Sequence, residues 1–273
     1  MPDNPRSRFH PIDAAMTPAA STRRLGILAA MHDELAGLLA EMGPDAVVHR
    51  VGLRDYHVGE LYGQPCVLVL ARIGKVAAAA TTVTLIREFD VDRIVFTGLA
   101  GGIGQGVRVG DVVVGQTLVQ HDMDARPLFA RHEVPLLARA YFETDAALNA
   151  ALRASALAYV ADDLFTDIDG ATRADFGIDL PMVHEGLIAS GDTFVHAAGM
   201  ASALTEALPD VLCVEMEGAA VAQICHEYAV PCAVLRTVSD RADSTASVDF
   251  RAFLERVASV YAVGILRRFL RDI

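Results

Sequence analysis

The chain has 273 residues, 53% of them hydrophobic, with 21 Gly, no Trp and a formal net charge of −12. Length and apolar content suit one large α/β domain with a doubly covered sheet rather than a disulfide scaffold. The acidic balance speaks against nucleic acid and anionic membrane as partners. The one dense basic group, Arg267, Arg268 and Arg271, sits beside acids and reads as a solvated helix face.

In chain order, residues 1–22 hold Pro, Asp, Arg and Ser without an apolar signal-peptide segment, and predict a disordered leader. Residues 23–273 predict a single domain. Arg24 to Ala30 (RLGILAA) is a continuous apolar run and predicts a buried strand, followed by a helix seeded at His32, Asp33 and Glu34 and continued by Leu35, Leu38 and Leu39. Val47 to Val51, Tyr56 to Leu61 and Cys66 to Ala71 predict short strands separated by turn signals. Lys75 to Phe89, rich in Ala, Thr and Val, predicts a helix packed close to a sheet. Arg93 to Gly98 and, after a Gly-rich loop, Asp111 to Gln120 predict further strands.

Residues 144–160 predict a helix and residues 161–185 a polar surface excursion. Gly186 to Ser190 and Leu212 to Met216 predict strands, and Gly218 to Tyr228 a helix with Val221, Ile224 and Cys225 on one face. Cys232 to Val238 predicts a strand and Val248 to Phe269 a long terminal helix. Strands alternating with helices argue an α/β fold on a mostly parallel, buried sheet. The cysteines Cys66, Cys213, Cys225 and Cys232 lie in apolar runs without CxxC spacing, which fits free thiols in the cytoplasm better than disulfides or zinc.

Several motifs fall away on spacing. Gly98 to Gly106 lacks the GxGxxG pattern and leads into a strand. Gly74-Lys75 lacks the rest of a P-loop, His226-Glu227 lacks a second zincin His, and no GxSxG occurs. His121-Asp122-Met123-Asp124 has metal-ligand residue types, but alternation splits them between two faces, so a structural turn or interface role is preferred. Three acids remain, each where a predicted strand ends: Glu34, Glu217 after VLCVEM, and Asp240 after AVLRTVS. A lone acid in such a place is an ordinary helix cap. Three together mark a cleft at strand ends, where open α/β sheets bind ligands. These residues alone imply an α/β enzyme and leave its substrate open.

The stretches GILAAMHDEL (26–35), RIGKVAAAATT (72–82), TGLAGGI (97–103), VGDVVV (109–114), GLIASGDTFV (186–195), VEMEGAAVAQICH (214–226) and LRTVSDRAD (235–243) together resemble the 5'-methylthioadenosine/S-adenosylhomocysteine nucleosidases of the nucleoside phosphorylase superfamily. They follow the family's order across nearly everything after residue 23. The resemblance implies a three-layer αβα sandwich with a central mixed, mostly parallel twisted sheet. It also implies a cytoplasmic homodimer without cofactor or metal that hydrolyses the N-glycosidic bond of adenine nucleosides. It assigns Glu34 as the base that activates water and Arg236 as the group that holds Glu34 or that water. Met216 would pack on ribose, and Glu217 would accept from its 2'- and 3'-hydroxyls. Phe194 would stack on adenine, Val195 would meet its edge, and Asp240, aided by Ser239, would protonate N7. Ala100 and Gly101, in the loop after the Thr97-Gly98 strand, would line the substrate site.

The family's phosphorylases bind phosphate with arginines and a Ser in that loop. Here Glu34 occupies the early turn and Leu99 follows Gly98, a poor phosphate site that favours water. Leu99 also replaces the Ser usual in the nucleosidases. The segment after His121 (MDARPLFARHEVP), which in the family reaches across the dimer, lacks the family's Tyr. Phe129 and Pro135 would then supply an apolar wall for the 5'-substituent, or ordinary dimer packing. Residues 161–185 are a third departure and a further candidate for that pocket. The 5'-group therefore stays open between a thioether, aminodeoxyfutalosine and 5'-deoxyadenosine, and a non-catalytic adenine-nucleoside sensor is the rival of another class.

Overall fold

The computed structural model describes residues 23–273, and the leader expected at 1–22 lies outside them. The apolar run at the start forms β1 (Leu25–Ala29), buried at every position, and α1 (His32–Met42) turns back over it. Next come β2 (Val47–Val51), β3 (Arg54–Leu61), β4 (Gln64–Leu70), α2 (Lys75–Glu88), β5 (Arg93–Gly102) and β6 (Val112–Gln120). The short β7 (Tyr141–Glu143) leads into α3 (Ala146–Ala158), α4 (Leu164–Asp167) and α5 (Gly170–Phe176). After β8 (Val183–Ser190) come α6 (Ala198–Ala207), β9 (Val211–Glu215), α7 (Gly218–Tyr228), β10 (Cys232–Asp240), α8 (Ala246–Phe253) and α9 (Ser259–Asp272).

β5 is the pivot of the sheet. Its first half lies parallel to β1, from Leu25↔Arg93 to Leu28↔Phe96. Its far end pairs antiparallel with β9 through Gly101↔Val214 and Gly102↔Cys213. Its other edge follows β10 from Cys232↔Ile94 to Asp240↔Gly101. Because β10 pairs β6, β6 pairs β8 and β8 pairs β9, these strands close a ring, and β1, β4, β3 and β2 extend from it as an open wing.

The sheet is mixed, as expected, but it is not mostly parallel, and it closes on itself rather than forming a simple twisted layer. Pairings β1–β4, β1–β5, β5–β10, β6–β8 and β8–β9 are parallel. Pairings β2–β3, β3–β4, β5–β9, β6–β7 and β6–β10 are antiparallel. Closure depends on tight coiling at the end of β5. A Cβ at Gly102 would sit 2.8 Å from Val238 Cγ1, and the register of β10 shifts between Val238 and Asp240, a bulge that bends the strand.

Strand alternation sends side chains to two layers of helix. Leu25, Ile27 and Val95 pack with Leu35 and Leu38 of α1, Leu152 of α3 and Ile265 and Phe269 of α9. Leu28, Ile94 and Phe96 face Ala78 and Leu85 of α2 and Ala219, Val221 and Cys225 of α7. Residues 161–185 are not a polar excursion. A π-helical turn (Tyr159–Asp163), α4 and α5 bury Leu164, Ile168 and Ile178 in the first of these layers. The expected terminal helix is two helices, α8 and α9, joined by a second π-helical turn, Leu254–Ala258. No helix among the described residues is long and apolar enough to cross a membrane.

Gly264 of α9 seats against the ring of the fully buried Tyr159, and a Cβ there would overlap that ring. Gly264→Ala is expected to overpack the contact and cost about 1–3 kcal/mol in denaturant unfolding. An unchanged midpoint would show that the ring moves aside without penalty.

Candidate active site

A cavity of about 370 Å³ opens at the ends of β1, β5, β9 and β10, within the usual size of small-molecule sites. Its wall includes Glu34, Glu217 and Asp240, so the ring brings the three sequence-predicted acids together. The same wall carries Met216, Phe194, Val195, Ala100 and Gly101, all expected there, and Leu99. Among the described residues, no Lys or Arg lines it.

Glu34 sits in the first turn of α1 and folds back on the end of β1. Its Oε2 accepts from Ala30 N at 2.9 Å and Met31 N at 2.8 Å. Its Oε1 accepts from Leu99 N at 3.1 Å. Two donors satisfy Oε2, whereas Oε1 keeps acceptor capacity for one more partner. Asp240 ends β10. Its Oδ1 accepts from Ala242 N at 2.8 Å, and its Oδ2 lies 2.8 Å from Ser239 Oγ. That hydroxyl also lies 3.4 Å from the Ala100 carbonyl. It can donate to an ionised Asp240, or donate to the carbonyl and accept from a protonated one. Glu217 caps α7, and its Oε1 accepts from Gly74 N at 2.7 Å.

Two expected contacts are corrected. Arg236, 1% exposed, does not bond Glu34. It pairs in register with Gly98 on β5 and crosses that bare Cα to reach β9, where its Nη2 meets Glu215 Oε2 at 2.6 Å. Its guanidinium lies 4.0 Å from the Phe96 ring centroid. A Cβ at Gly98 would lie 3.0 Å from Glu34 Oε1 and 3.3 Å from Arg236 Nη1, so the absence of a side chain there leaves room for both groups. Residues 161–185 are not in the cavity wall, while Phe129 and Pro135, expected to reach it across a dimer, lie outside the wall of their own chain. Ser239 also lies behind the wall and reaches the cavity only through Asp240.

The sequence reading passed over Glu215. It accepts from Gly218 N at 2.8 Å and Glu217 N at 3.1 Å, and bonds the Ser190 hydroxyl. The carboxylate thus shapes the turn that presents Met216 and Glu217. The available signal was a charge in each of two buried strands, VLCVE and AVLRTVSD, because a buried Arg requires a partner. Ile73, Met31 and Phe250, also in the wall, carried no signal beyond their apolar character. In the His121–Asp124 turn, Asp122 pairs with Lys75 and Asp124 with Arg126, and no metal-binding cluster occurs among the described residues.

Residues 24–271 match the phosphorylase superfamily. The chain is 34% identical to the 5'-methylthioadenosine/S-adenosylhomocysteine nucleosidase of Actinobacillus succinogenes, covering 85% of this chain and 91% of that one. It is 33% identical to the aminodeoxyfutalosine nucleosidase of Helicobacter pylori, covering 88% and 95% respectively. Its fold matches the 5'-methylthioadenosine/S-adenosylhomocysteine nucleosidase of Neisseria meningitidis, solved with methylthio-immucillin-A. The TM-score is 0.80 at 34% identity, over 92% of this chain and all of that one.

Burial sets the electrostatics of the three acids. It raises Glu34 above the usual carboxylate range despite three backbone donors and the nearby Arg236 charge. It raises Asp240 against the Ser239 and Ala242 hydrogen bonds. Glu217 is pushed up to about 8, by burial first and then by the Glu215 charge. Between its ordinary value of 4.5 and about 8, unfolded Glu217 loses its proton while the folded group keeps it. The stabilisation is complete below that window and is lost as pH rises through it. Glu217→Gln retains the Gly74 acceptor and should flatten the fall of Tm with pH in this interval. Glu34 and Asp240 leave a residual slope of the same sign. Parallel Tm–pH curves for wild type and variant would contradict the assignment.

Proposed function

The chain belongs to the phosphorylase superfamily, and within it we propose that the protein is a nucleosidase that hydrolyses 5'-methylthioadenosine and S-adenosylhomocysteine to adenine and the 5-thioribose product. The observation that carries this reading is the placement of Glu34, Glu217 and Asp240 around one cavity with no basic lining residue among the described ones. Phosphate would meet carboxyl groups and Leu99 there instead of cations, whereas water needs only an acceptor.

Adenine leaves poorly as an anion. Asp240 Oδ2 would give its proton to N7, so that adenine departs neutral while positive charge develops on the ribose. The raised position of Asp240 favours the protonated acid that this step needs. The free acceptor position of Glu34 Oε1 would hold a water and take its proton as the oxygen bonds to the anomeric carbon. The Arg236 charge opposes the burial that raises Glu34, and so favours its ionised form without outweighing that burial. Glu217 would hold the 2'- and 3'-hydroxyls, and the developing cation favours its ionised form. Met216 would pack on the ribose and Phe194 on the base, with Val195 at the base edge.

The relatives named above differ in the 5'-group. Met31, Ile73 and Phe250 make an apolar part of the wall, which supports a thioether substituent. The four free cysteines are buried, in keeping with a cytoplasmic setting. We further propose that residues 23–273 act as one domain and assemble as a homodimer. Ile73 in the cavity wall and Val76 in the first turn of α2 are 55% and 81% exposed, and Leu128 and Leu136 beside Phe129 and Pro135 are 83% and 93% exposed. Covering them with a second copy would bring the 121–135 segment to the partner's cavity.

Wild-type protein should release adenine from methylthioadenosine in phosphate-free buffer. Asp240→Asn should lower kcat on the order of 10²–10⁴-fold with a small change in KM. A requirement for phosphate would make the protein a phosphorylase, and near-normal turnover by the variant would remove Asp240 from the acid role. Sedimentation equilibrium should give twice the chain mass, and a monomer at micromolar concentration would exclude the dimer.

A further inference from the structure

Beside the cavity, a polar network converges on Lys75, the first residue of α2. Its Nζ donates to Asp122 Oδ1 at 2.6 Å and Gln120 Oε1 at 3.1 Å, and lies 3.9 Å from Asp192 Oδ2. The Lys75 side chain is only 15% exposed, so its charge is poorly served by water. The other Asp122 oxygen accepts from Asp192 N at 2.9 Å. Asp192 Oδ1 accepts in turn from Lys75 N at 2.8 Å. Thr193 and Phe194, which follow Asp192 directly, form part of the cavity wall.

The amide one residue earlier serves a different partner. Gly74 N donates to Glu217 Oε1. Successive amides at the start of α2 therefore hold two carboxylates: the one assigned to ribose and the one that anchors the Phe194 loop. The positive end of the helix favours both. Gly74 has φ +98°, a conformation that side chains disfavour, and a Cβ there would lie 3.2 Å from Asp192 Oδ1. The turn closes on the loop because residue 74 is glycine.

We propose that Lys75 is a positioning residue that latches the Asp192–Phe194 loop to the start of α2, so that one turn of backbone aligns the adenine-stacking side chain with the ribose carboxylate. The roles of base and ribose rest on the nucleosidase reading. Without the ammonium, Asp122 and Asp192 face each other uncompensated, and only the Lys75 N–Asp192 and Asp192 N–Asp122 hydrogen bonds hold the loop against that repulsion. Glu34 and Asp240 keep all their hydrogen-bond partners. The loss therefore falls on nucleoside binding and not on the chemical step.

The test compares Lys75→Met and Lys75→Arg with wild type by steady-state adenine release from methylthioadenosine and by calorimetric titration of adenine. Lys75→Met should raise KM about tenfold, leave kcat within about threefold and weaken adenine binding about tenfold, and Lys75→Arg should recover most of each loss. Unchanged KM and adenine affinity in a folded Lys75→Met protein would overturn the proposal, as would a loss confined to kcat. If Lys75→Met does not fold, Asp192→Ala, at a half-exposed position, replaces it under the same criteria. If wild type releases no adenine from the nucleoside, the hydrolase reading fails separately. The calorimetric comparison then decides the latch alone.

Discussion

A single buried cation holds the site together. Arg236 rises from β10, passes over Gly98 of β5 and ends against Glu215 of β9. It ties two strands that are not neighbours in the ring, and its charge acts on Glu34 and Glu217 as well as on Glu215. Burying one arginine among three carboxyl groups is tolerable only when the geometry satisfies all of them, since either partner left alone would be an uncompensated buried charge. Glu215 meets that condition by also accepting from the turn that carries Met216 and Glu217. One ion pair thereby orders the turn that carries Met216 and Glu217 and places a positive charge near Glu34.

The remaining polar groups follow from that arrangement. The cavity wall is mostly apolar, burial raises Glu34, Asp240 and Glu217, and the backbone offsets this unequally. Glu34 receives three N–H donors, Asp240 one and Glu217 one. On the nucleosidase reading, the group with most donors would act as the base and a group with few would carry the proton. Leu99 fits this division. Its amide supports Glu34, while its side chain adds an apolar surface to the cavity wall.

Much of this could be read from the residues. Glu34, Glu217 and Asp240 stand out because each interrupts an apolar run where a strand stops, and burial of the strands then forces them toward one end. Helix α7 has the predicted limits because Glu217 begins it and small residues continue it. Ring closure could not be read, since inward and outward alternation is the same in an open sheet and a closed one. The partner of Arg236 was missed because the contact spans an intervening strand, and strand periodicity describes only adjacent pairs. Residues 161–185 were judged on their acids, yet Leu164, Ile168 and Ile178 are spaced to bury one side. Phe129 was placed in the pocket by resemblance, and the single chain holds it elsewhere.

The closed ring also bears on how the protein is made. β5 is in place early in the chain, but the strand that completes its other edge is β10, and that strand brings both Arg236 and Asp240. A nascent chain lacking its final segment can form the open wing and can bury β1 between β4 and β5. It has neither the cation that neutralises Glu215 nor the acid placed opposite Glu34. Joining such distant segments carries a loop-closure cost that only the finished core offsets. On the nucleosidase reading, competence therefore waits for the last strand, because β10 brings both Arg236 and Asp240 to the cavity.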